Sequence, residues 1–96
     1  MTRGEASRRA IVQAGLALWR EGGEAAVSAR RIATMVNMTH AGVIYPWGSA
    51  ARMRAEVART AVAMGDPGII RQLIVSGHSA VSDMPAEVRQ VWLAGA

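Results

Sequence analysis

Residues 28 to 49, SARRIATMVNMTHAGVIYPWGS, carry two short helical patterns separated by a tight turn, and this pairing limits the folds open to the chain more than any other feature. Ile32, Ala33 and Val36 recur at the i, i+1, i+4 spacing of a buried helical stripe, with Arg30 and Arg31 off it. A second helix starts afresh at Thr39, whose hydroxyl can accept from backbone N–H groups two or three residues on, as an N-cap does. That helix carries Thr39, His40, Gly42 and Tyr45 on one side and Val43 and Trp47 on the other. Such a pair has the pattern of a helix-turn-helix, in which the second helix enters the major groove of DNA.

The remaining chain extends the helical pattern in both directions. Ser7 is placed to cap a first helix running to about Arg20, with Ile11, Ala14, Leu18 and Trp19 inward and Gly22-Gly23 as the stop. The second helix begins at Ser28, and the third covers Thr39 to Tyr45, where Pro46 favours termination. Ser49 caps a fourth from Ala50 to Met64, with Met53, Val57, Ala61 and Met64 forming its apolar stripe. Gly65-Asp66-Pro67-Gly68 is the sharpest break and the candidate domain boundary. Beyond it, Ile69, Ile70, Leu73, Ile74 and Val81 predict a fifth helix reaching Val81, and Pro85 to Leu93 a sixth. Only Leu73-Ile74-Val75 is ambiguous with a strand. The expected fold is all-α: a three-helix, homeodomain-like bundle, a fourth linking helix and two further helices.

Composition narrows the function classes. No cysteine is present, so there is neither a disulfide framework nor a thiolate metal site, and two histidines 38 positions apart are a poor start for zinc. No metal or cofactor is expected. No apolar run is long enough to cross a bilayer, and MTRGEASRRA lacks the apolar core of a secretion signal, so the expected location is the cytoplasm. All 11 basic residues are arginines, and net charge is +4. Nine of those arginines stand against four glutamates in residues 1 to 60, whereas the remainder holds two arginines against three acids. Positive charge therefore accompanies the two-helix motif, as a polyanion-binding surface requires.

In register, these residues resemble the DNA-binding domain of the tetracycline-repressor (TetR) family of bacterial transcription regulators. The likeness runs through Ile11, Ala14, Leu16, Leu18-Trp19 and Gly23, then Ala26, Ser28, Arg30 and Ile32-Ala33. It continues through Met38-Thr39-His40-Ala41, Val43, Tyr45, Trp47-Gly48-Ser49 and Met53, without a gap. The resemblance implies a DNA-binding domain at residues 5 to 65 and, at 66 to 96, the start of a regulatory and dimerisation domain. It implies Ser28, Arg30, Thr39, His40, Ala41, Gly42, Tyr45 and Ser49 as the DNA-contacting set, a palindromic operator, a homodimer and a small-molecule effector. Family members are about twice as long, so the sequence is expected to be either a fragment of a longer regulator or a short form that associates differently. Ile44, Pro46 and Ala50 depart from the family's usual tyrosine, histidine or tyrosine, and lysine, and Glu24 replaces an aromatic. Losing the lysine and one aromatic hydroxyl removes backbone contacts, so non-specific affinity is expected to be lower than is typical of the family, with Arg52 or Arg54 on the following turn compensating only in part.

Bland readings accompany each of these residues. Ser28, Thr39 and Ser49 are explained by capping alone, worth about 1 kcal/mol each, and Trp19 and Trp47 are most simply core. Catalysis is not expected. Residues 73 to 81, LIVSGHSAV, match half of an α/β-hydrolase nucleophile elbow, but Val81 stands at the final glycine position and no acid–histidine pair follows. The alternative to a DNA-binding regulator is a small helical protein-interaction module presenting Met35, Met38 and Met53 as an apolar surface.

Overall fold

The computed structural model describes residues 2 to 95. Among them six α-helices and two single 3₁₀ turns follow one another, with no strand. They are α1 (Arg3–Gly22), a 3₁₀ turn (Glu24–Ala26), α2 (Ala29–Val36), α3 (His40–Ile44), α4 (Ala50–Met64), α5 (Pro67–Ser76), a second 3₁₀ turn (Ser79–Val81) and α6 (Ala86–Ala94). The all-α expectation holds, and Leu73-Ile74-Val75 is helical.

Two helix boundaries differ from those expected. The first helix is capped by Thr2, which accepts from the Glu5 N–H at 3.1 Å, and Ser7 lies inside it. Thr-x-x-Glu is itself a start signal, but the predicted boundary sat one turn late because Ser7 borders the apolar stripe more closely. The fifth helix stops at Ser76 and not at Val81. Gly77 takes a left-handed conformation (φ 68°), and His78 then caps the second 3₁₀ turn by accepting the Ala80 N–H on Nδ1 at 3.0 Å.

One apolar core unites these elements. Ile11, Leu18 and Trp19 of α1 meet Ile32 of α2, Val43 of α3, Met53 and Val57 of α4, and Ile69 and Leu73 of α5. Val81, in the second 3₁₀ turn, joins the same core, which therefore runs without interruption past the turn at residues 65 to 68. Some members of the expected stripes leave its centre: Val36, Trp47 and Ile74 are only half-buried, packed on the edge of the core, and Met64 is 59% exposed. The crossing of α1 over α4 is tight. A Cβ added to Gly15 would stand 2.6 Å from Val57 Cγ2, so only glycine permits this approach.

Asp66 ties the two halves together. Its carboxylate caps α5 by accepting the Ile69 N–H at 3.1 Å, and it receives Arg20 Nε from α1 at 2.7 Å. Partial burial pushes its pKa up, but the Ile69 N–H, the Arg20 guanidinium and the Gly68 N–H together outweigh this and hold it below the ordinary 3.8. A lowered carboxylate pKa contributes stability that is complete above the unfolded value and is lost as the pH falls through the folded one. Asp66→Ala should therefore cost about 2 kcal/mol at pH 7, from the cap plus a half-exposed ion pair. In urea unfolding the gap between wild type and variant should narrow at pH 2. An equal gap at both pH values would remove the charge from this account.

Candidate nucleic-acid interface

Three caps build the expected contact region. Ser28 Oγ accepts the Arg31 N–H at 3.1 Å, Thr39 Oγ1 the Gly42 N–H at 3.0 Å, and Ser49 Oγ the Arg52 N–H at 3.1 Å. Each hydroxyl satisfies one of the donors left over where its helix starts, so α2, α3 and α4 begin where the sequence analysis places them.

The turn between α2 and α3 is short and chemically specified. Asn37 takes the left-handed conformation (φ 56°), which asparagine tolerates better than most residues, and the Met38 N–H closes back on the Ala33 carbonyl at 3.0 Å. Two residues later Thr39 opens α3. At its other end Pro46 has no N–H to give the Gly42 carbonyl, and the chain instead closes on the Ile44 carbonyl through the N–H groups of Trp47 (3.0 Å) and Gly48 (2.9 Å). Gly48 has φ 85°, a conformation that favours glycine.

Within α3 the two sides differ sharply. Val43 is fully buried and anchors the helix, whereas Thr39, His40 and Ala41 are exposed and Tyr45 is 86% exposed. Gly42 is half-buried, and a Cβ there would meet Thr39 Oγ1 at 3.0 Å and Met38 Cε at 3.4 Å. Glycine at this position thus leaves room for the Thr39 cap and the Met38 side chain. Ser28 and Ser49 are half-buried at their helix starts, and Arg30 is exposed on α2.

Arg30 and His40 line one concavity of about 550 Å³ between α2 and α3, together with Thr34, Asn37 and Met38. Ser28 shares another, of about 580 Å³, with Arg54 of α4 and Glu24. Arg54 beside Ser28 is a neighbour that helical periodicity does not predict, because it depends on where α4 lies relative to the first 3₁₀ turn and the loop that leads into α2. Arg52 turns back over the turn before its own helix, with a guanidinium nitrogen 3.9 Å from where a Gly48 Cβ would lie. Tyr45 and Ser49 belong to neither concavity.

Charge pairing leaves this region positive. Among the described residues Arg20 pairs with Asp66 and Arg59 with Glu56, but Arg30, Arg31, Arg52 and Arg54 make no ion pair. The methionines near the turn are mostly spoken for: Met53 is fully buried, Met38 packs on the core, and Met35 alone of the three is exposed, at 51%. Residues 73 to 79 do not form a strand and elbow, since Ser79 follows a helix and opens a 3₁₀ turn. No three His, Asp or Glu side chains among the described residues come together in a way that could hold a metal ion, and no described helix is long and apolar enough to cross a membrane.

No family model, curated protein or solved structure matches the chain. The likeness to the tetracycline-repressor family rests on the residues themselves and on their order.

Proposed function

We propose that the chain is a sequence-specific DNA-binding transcriptional regulator of the tetracycline-repressor type, acting as a repressor by occupying an operator. The observation that carries this reading is α3: a short, capped helix anchored by buried Val43, with His40, Ala41 and Tyr45 turned to solvent and unpaired arginines on the helices either side. In this reading α3 lies in the major groove. His40, Ala41 and Gly42 approach base edges, while Thr39 and Tyr45 reach phosphates through their hydroxyls. Ser28 and Ser49 present helix N-termini to the backbone, where free N–H groups and the helix dipole favour anions. Arg54, sharing the Ser28 concavity, supplies the cation that Ala50 does not. A homodimer on a palindrome, with half-sites one helical turn apart, and release by a small-molecule effector belong to the same proposal.

Selection of bound duplexes from a random pool tests it. The expected result is an enriched palindromic site whose affinity falls steeply with salt. Arg30→Ala should reduce the slope of log K against log salt by about one unit, because one phosphate contact releases about one counterion. Recovery of no enriched sequence at low salt, or an unchanged slope in the variant, counts against the assignment. A protein-interaction surface would show neither enrichment nor steep salt dependence.

A further inference from the structure

A groove of about 500 Å³ lies between α1 and α4 and shares no residue with the concavities beside α2 and α3. Apolar side chains from three elements line it: Val12 and Leu16 of α1, the half-buried Trp47 before α4, and the exposed Met64 at the end of α4. Arg8 and Arg9, both exposed, complete it on the α1 side. Neither makes an ion pair among the described residues. Glu56 also lines the groove, but its carboxylate accepts Arg59 Nη2 at 2.8 Å and is neutralised there. The local charge is therefore positive beside an apolar surface, and the volume lies within the ~300–1,000 Å³ range of small-ligand clefts.

We propose that this groove binds an amphipathic monoanion, a medium-chain alkyl carboxylate, with its tail against Val12, Leu16, Trp47 and Met64 and its head group on the Arg8 or Arg9 guanidinium. Covering Trp47 and Met64 removes apolar surface from water, which drives the tail inward. A planar guanidinium matches the two oxygens of a carboxylate and holds them by charge-assisted hydrogen bonds. The pairing demands both features: an alcohol of the same length has the tail without the charge, and inorganic phosphate has charge without a tail.

Titrating decanoate, below its micelle concentration, into protein carrying ¹³C-methyl methionine tests the site without any DNA, so its outcome is independent of the DNA-binding reading. The Met64 methyl signal, assigned from its loss in Met64→Leu, should shift saturably while that of Met35 stays in place. The double variant Arg8→Gln/Arg9→Gln, altered only at exposed positions, should keep the wild-type circular dichroism spectrum and bind about tenfold more weakly. Decanol should bind at least as weakly to the wild type as decanoate does to that variant. The proposal is overturned if Met35 shifts as much as Met64, if no saturation is reached, or if decanol binds as well as decanoate.

Discussion

Gly15→Leu should lower the unfolding free energy by about 3 kcal/mol, a large fraction of the 5–15 kcal/mol that holds a domain of this size together. The first added carbon already lies 2.6 Å from Val57 Cγ2, well inside van der Waals contact. Val57 is fully buried and β-branched, so it has no free volume or rotamer to retreat into. Parting α1 from α4 to make room would also uncover Ile11, Leu18 and Met53, which share this core. Gly15→Ala makes a graded control: it gains up to about 1 kcal/mol of helix propensity and loses about 1–3 kcal/mol to the same contact, so the net change should be smaller. Thermal and urea unfolding followed at 222 nm read both variants. A leucine variant as stable as the wild type would mean that the two helices do not cross at this glycine.

The second large effect separates function from fold. Ala41→Glu places a carboxylate on the exposed side of α3 one residue into the helix, where negative charge suits the dipole and no buried neighbour is disturbed. Stability should stay level or rise slightly. Under the proposed function, affinity for an operator duplex should fall about a hundredfold, since the new charge faces the phosphates and base edges and gains no partner there. Ala41→Gln, similar in size but neutral, should lose much less. Equal losses in both variants would point to bulk, and no loss in either would remove α3 from the interface.

Much of the local structure was legible because its signals are local. A hydroxyl placed before a helical stripe marks a start whatever the rest of the chain does, and Ser28, Thr39 and Ser49 all accept the N–H three residues on. The alternation of buried and free positions along the third helix follows from the 3.6-residue period, which puts Val43 inward and Tyr45 outward. Boundaries are ambiguous where two signals compete a few residues apart. Thr2 and Ser7 both precede apolar residues, and the choice between them depends on whether one further exposed helical turn is stable. Asp66-Pro67 is a cap followed by a first-turn proline, a start signal masked in the sequence by the glycines on either side, which mark the same four residues as a break.

The sequence by itself determined the all-α class, where the second, third and fourth helices start, and which side of the third helix would be free, since each depends on chemistry within a few residues. Only the tertiary structure decided that Gly15 is a helix crossing, that Asp66 receives Arg20 across 46 residues, that Arg54 stands beside Ser28, and that Trp47 and Met64 line a groove with Arg8 and Arg9. Those relations join positions far apart in the chain. They are set by how the helices pack on one shared core, and periodicity along a single helix carries no information about its neighbour's rotation or depth.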